Sequence, residues 1–159
     1  MVALAGPATE PVAPAAFDAR NPADVLSVLQ TNGASGELKT GDDGQPFIEG
    51  KAGSLNFDVD FYRCNKDKVA CESIAYQLGF DSELVNVEQL NIWNGWTLFC
   101  PGYLTDKKHP HVWLAVRPGA RDTREDVLAQ QNLWLGCIQD FDDFTGDPAH
   151  FIDTVINKK

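Results

Sequence analysis

Residues 55–80, LNFDVDFYRCNKDKVACESIAYQLGF, decide the fold. Leu55, Phe57, Val59 and Phe61 alternate with Asn56, Asp58, Asp60 and Tyr62, the period-two pattern of a half-buried strand. After NKDKVA the alternation resumes: Ile74, Tyr76, Leu78 and Phe80 stand against Ser73, Ala75, Gln77 and Gly79. With Cys64 facing Cys71, Phe61 opposes Ile74, Val59 opposes Tyr76, and Phe57 opposes Leu78. The two apolar sets then share one face, and a slip of one residue would put a whole set on the wrong side. Hydrophobic pattern and cysteine position thus support one hairpin. The same parity puts both cysteines on the other face, beside Tyr62 and Ser73.

Outward from this hairpin the chain reads as short, well-punctuated elements. Asn21-Pro22-Ala23-Asp24 is a helix start, with Asn at the cap, Pro at the first helical position and Asp in the first turn. Val25, Leu26, Val28 and Leu29 supply its apolar face, and Gly33 stops it. Residues 37–40 and 47–50 flank GDDGQ, a turn rich in Asp and Gly, and form a first hairpin. Asn86 begins a second helix with Val87, Leu90 and Trp93 on one stripe, ending near Trp96. A third hairpin is expected from 97–104 and 111–117 around TDKKHP. From Arg124 a long helix carries Val127, Trp134, Cys137, Ile138, Phe141 and Phe144 on one broad face and breaks at Gly146. Asp147-Pro148 restarts a short helix with Phe151, Ile152 and Val155 as its apolar positions. The order α-β-β-β-β-α-β-β-α(α) is an α+β domain: an antiparallel sheet of hairpins covered by helices.

A chain of 159 residues suits one domain, expected over 17–159. The Ala/Pro-rich stretch 1–16 reads as a flexible segment, the start of a mature chain left after signal removal. A formal net charge of −10 argues against nucleic acid and against anionic lipid, both of which need clustered Lys and Arg. No apolar run approaches the roughly 20 residues of a membrane-crossing helix. Four cysteines, two of them placed for a hairpin disulfide, favour an oxidising compartment, hence a periplasmic or secreted bacterial protein.

The combination FDVDFYRC…C, the run Asn91, Ile92, Trp93 and Asn94, and the final aromatic helix resemble the YbjN-like family of bacterial sensory transduction regulators. The resemblance covers residues 17–144 and leaves out the leader and the segment after Gly146. It implies a fold similar to type III secretion chaperones, which bind extended or helical segments of partner proteins. It carries no catalytic residues over to this chain.

The candidate sites divide by chemistry. Cys64 and Cys71 lack the close spacing of a catalytic dithiol and the further ligands zinc needs, which points to a structural disulfide. Cys100 on an expected strand and Cys137 on the long helix either pair or remain two small buried thiols. His109-Pro110-His111 offers two imidazoles across a turn, too few for a metal site. Asp58 with Asp60, and the run Asp140, Asp142, Asp143 and Asp147, are the paired carboxylates that calcium or glycoside hydrolysis would use; neither stretch fits an EF-hand loop, and a solvated face is the favoured reading. Trp113 lies between Val112 and Leu114 and should face away from the core, beside Tyr62 and Tyr103. Exposed there, the three aromatics would suit a binding surface; covered by a terminal helix or the leader, they would be core.

No Ser–His–Asp set, phosphate loop or HExxH helix is present. These readings favour a non-enzymatic exported domain that binds a protein or peptide, with a homodimer among its arrangements and no cofactor or metal. A periplasmic hydrolase, metal-dependent or carboxylate-based, using Asp58, Asp60 or the later aspartates is the alternative from another class, and a small-ligand sensor is a third.

Overall fold

The computed structural model describes residues 15–158; the first fourteen residues, most of the segment expected to be flexible, lie outside them. Helix α1 spans Pro22–Thr31, and the Asn21 side chain caps it by accepting from the Ala23 N–H. Strands β1 (Ser35–Thr40) and β2 (Pro46–Ala52) form the first hairpin, and β3 (Leu55–Tyr62) and β4 (Ser73–Gly79) the second. Helix α2 (Val87–Trp96) opens on a capping box in which Asn86 and Gln89 satisfy each other's backbone N–H groups. Strands β5 (Gly102–Leu104) and β6 (Pro110–Val116) follow, then α3 (Arg124–Gly146), α4 (Pro148–Phe151) and a π-helical turn at Ile152–Ile156. Thr123 and Asp126 form a second capping box at the start of α3.

The six strands make one antiparallel sheet in the order β1-β2-β3-β4-β6-β5, so the fold is α+β. In the central hairpin Phe61 faces Ile74 and Val59 faces Tyr76, while Phe57 lies one position past the last paired residue, Asp58. Phe57, Val59, Phe61, Ile74, Tyr76, Leu78, Val112 and Leu114 are all buried on one face of the sheet. The helices pack there. Trp134 of α3 meets Phe57 edge-on, with ring centroids 5.9 Å apart, and lies 5.9 Å from Tyr76. Trp93 of α2 packs on Phe141, Phe144 and Phe151, which ties α2, α3 and α4 together.

Four expectations need correction. The cysteines do not lie on the outer face: Cys71 is buried in the core and Cys64 is half-buried against it. The alternation ends at Tyr62 because Arg63 adopts a left-handed backbone with φ 51°. The Asn65 side chain then caps the loop by accepting from Val69 and Ala70, and the Cys71 N–H reaches the Arg20 carbonyl. Strand β5 begins only at Gly102. Residues 97–101 are irregular, because Pro101 has no N–H to offer a ladder and α2 satisfies the local backbone instead. Trp93 Nε1 donates to the Cys100 carbonyl at 2.9 Å, and the Asn94 amide both donates to and accepts from Gly102. Cys100 is therefore a buried residue of a loop, not of a strand. Leu98 and Phe99, released from any pairing, stand 86% and 56% exposed. Val87 and Val155, expected on apolar stripes, are likewise exposed. Each lies in an end turn of its helical segment.

Candidate functional site

Every helix packs on the inner face, and the outer face of the sheet carries no buried side chain among the described residues. Strand parity places Trp113, Tyr62 and Tyr103 there, as the alternation implies. Trp113 is 38% exposed, Tyr62 47% and Tyr103 43%, and no described helix covers them. Trp113 stands opposite Gln77, which in turn stands opposite Asp58, so a continuous row runs from the tryptophan to the carboxylates. Gln77 donates through Nε2 to Asp60, the neighbouring carboxylate on the same face of β3.

At the β5–β6 end, Tyr103 and His111 pack with ring centroids 5.2 Å apart. The His111 ring lies across Gly79, where a Cβ would come within 2.3 Å of it and would push the imidazole aside. Burial, with a smaller contribution from His109, holds the His111 imidazole below its ordinary pKa. His109 turns away to contact Asp81, with Nε2 3.1 Å from the carboxylate. The two histidines therefore engage different partners.

At the β2–β3 end the same face dips into a cavity of about 300 Å³. Phe47 and Tyr62 wall it, Asp58 and Asp60 project from β3, and Asp43 enters from the GDDGQ turn. Burial raises the pKa of Asp58 and Asp60 above the ordinary carboxylate value, and charge adds to it: Asp60 and Glu49 act on Asp58, and Asp43 acts on Asp60. The Gln77 hydrogen bond pulls Asp60 partly back, and Lys39 does the same more weakly for Asp58. The Tyr62 phenol is also raised, first by burial, then by Asp60 and Asp43, with a further contribution from Tyr103 across the face. These groups share one region of negative potential. The β2–β3 register brings Phe47 opposite Asp60, a pairing that the alternation of either strand alone does not reveal.

The remaining candidates lie elsewhere. Cys64 and Cys71 are at disulfide distance, as are Cys100 and Cys137. Asp140 and Asp143 are exposed on α3, Asp142 is half-buried, and Asp147 caps α4 by accepting from the His150 N–H; Phe141 and Phe144 turn inward between them. No group of three His, Cys, Asp or Glu side chains among the described residues is arranged to hold a metal ion. No described helix is long and apolar enough to cross a membrane.

A second hollow of about 380 Å³ lies on the helical side, between the Leu98–Phe99 loop and α3. Trp96, Leu133 and Cys137 line it. Deep in the core, Gln131 is fully buried on the apolar face of α3, where periodicity alone predicts no polar residue. Its Nε2 donates to the Val25 carbonyl at 3.0 Å. Its Oε1 and the Tyr76 hydroxyl face each other without a well-formed hydrogen bond. Both side chains are sealed from solvent where α1, α3 and β4 meet.

The chain matches no family model and no curated protein.

Proposed function

We propose that this chain is an exported, non-enzymatic recognition domain of the YbjN-like type, binding a polypeptide segment on the open face of its sheet. The observation that carries the reading is Trp113: a large aromatic held in water at mid-strand, flanked by Tyr62 and Tyr103 and continuous with a concavity. The 38% of Trp113 that stays exposed is apolar surface a partner could still bury, and aromatic anchors of this kind are what interfaces use. Two cysteine pairs at disulfide distance support a periplasmic or secreted location. Helices on one side of an antiparallel sheet with the other side open agree with the likeness to secretion chaperones.

A random-peptide display library selected on the immobilised domain tests this. Selected peptides should bind the Trp113→Ala variant at least about tenfold more weakly, the usual loss at an aromatic anchor. Leu98→Ala with Phe99→Ala, on the helical side, should leave binding unchanged. Peptides that depend on Leu98 and Phe99 and ignore Trp113, or a library that yields no binder, would overturn the reading. A turnover or a stoichiometric metal abolished by substituting Asp58, Asp60 and Asp142 together would replace it with the hydrolase.

A further inference from the structure

We propose that the cavity at the β2–β3 end of the open face receives an arginine or lysine side chain of the bound polypeptide. The inference rests on the open face being the binding surface and adds the chemistry of what binds. Shape and composition both select a cation. Phe47 and Tyr62 offer aromatic surface to a flat guanidinium or an ammonium stem, and Asp58, Asp60 and Asp43 surround the place where its charge would rest. A volume of about 300 Å³ accommodates one long side chain and little more.

The protein's own cations form no ion pair with the cavity's carboxylates, and Lys39 acts on Asp58 only weakly and from a distance. Lys39 is engaged by Glu49 and lies 3.8 Å from Glu37. Lys68 donates to the Gln45 side-chain oxygen at 3.3 Å on the rim, and Arg63 lies 3.7 Å from Glu72. None of the ion pairs among the described residues includes Asp43, Asp58 or Asp60. Burial is the first cause of the raised Asp58 and Asp60 pKa values; the like charges beside them add to it, and that added part is what an incoming cation would relieve. At the scale of the whole molecule, a net charge of −10 steers cationic segments toward the protein. The row through Gln77 to Trp113 spans two strand spacings, about 10 Å. One extended segment can therefore place an apolar residue on Trp113 and a basic one in the cavity.

The test is an amide-resolved NMR titration of the intact chain with one capped nine-residue peptide of alternating serine and valine. Its central residue is arginine, lysine, citrulline or glutamate. The arginine and lysine peptides should shift the amides of Phe47, Asp58, Asp60 and Tyr62 and bind about tenfold more tightly than the citrulline peptide. Asp58→Asn combined with Asp60→Asn should erase that preference without lowering the thermal midpoint. Trp113→Ala should weaken all four peptides alike. Equal binding of the arginine and citrulline peptides on the open face would overturn the cation site and spare the binding surface. Shifts confined to Leu98 and Phe99 would overturn both. Free arginine amide or putrescine binding as tightly as the peptides would make this a small-amine site, and displacement of the peptides by stoichiometric calcium would make it a metal site. Either outcome overturns the proposal.

Discussion

Gly50 and Phe57 form a cross-strand pair whose disruption reads directly on the facing of the sheet. A methyl group at residue 50 would lie 2.4 to 2.9 Å from three atoms of the Phe57 ring. That ring cannot swing clear, because its other side meets Trp134 edge-on. Gly50→Ala should therefore destabilise by about 1–3 kcal/mol, the usual range for forcing volume into a packed core. Phe57→Ala should cost about 3–5 kcal/mol through lost contacts and a cavity. In the double variant the added methyl occupies space the ring has vacated, so Gly50→Ala should there cost close to nothing. The double variant should then fall short of the sum of the singles by about 1–3 kcal/mol, far outside the roughly 0.5 kcal/mol expected of independent sites. Urea unfolding followed by tryptophan fluorescence measures it, since Trp134 touches the altered ring. Additive losses, or a Gly50→Ala variant as stable as the parent, would show that Phe57 does not lie over Gly50.

Three further outcomes are expected. Asp58→Asn should change stability by no more than about 0.5 kcal/mol and in the stabilising direction at neutral pH. The folded pKa of Asp58 lies above its ordinary value, so its ionisation disfavours the folded state, and the benefit of asparagine should vanish as acid protonates the carboxyl; a benefit that grows on acidification would refute the assignment. Non-reducing peptide mapping should recover Cys64 linked to Cys71 and Cys100 linked to Cys137. In the chain-entropy view the longer loop, with a separation of 37 residues against 7, should matter more, about 4 against about 2.5 kcal/mol; free thiols in protein taken from an oxidising compartment would contradict the pairing. Tyr76, pushed by burial up to about 12 from an ordinary 10.0, should resist ionisation in the folded protein. Its contribution to stability is complete below pH 10 and lost as pH rises toward 12, so Tyr76→Phe should unfold less steeply with alkali, as followed by phenolate absorbance; identical alkaline profiles would count against it.

Much of this protein is legible in the order of its residues because much of it is governed by local rules. The alternation in β3, β4 and β6, the Asn21 and Asn86 caps and the 3.6-residue stripe of α3 each depend on neighbours a few positions away. They suffice for the α+β class and for the side of the sheet on which Trp113, Tyr62 and Tyr103 stand. The local rules fail where the chain leaves regular structure. The left-handed backbone at Arg63 ends the alternation and sends Cys71 into the core, and the Trp93 indole and the Thr97 hydroxyl satisfy the Cys100 backbone groups that a strand would have paired.

Other features lie beyond any local rule. Asp43, Phe47, Asp60 and Tyr62 become one cavity only through the register of β2 on β3 and the fold of the intervening turn. Gln131 finds its partner in the Val25 carbonyl, 106 positions away. Periodicity determines which way a side chain points. What it meets there depends on distances between elements, and those are set when the helices pack on one face of the sheet and leave the other open.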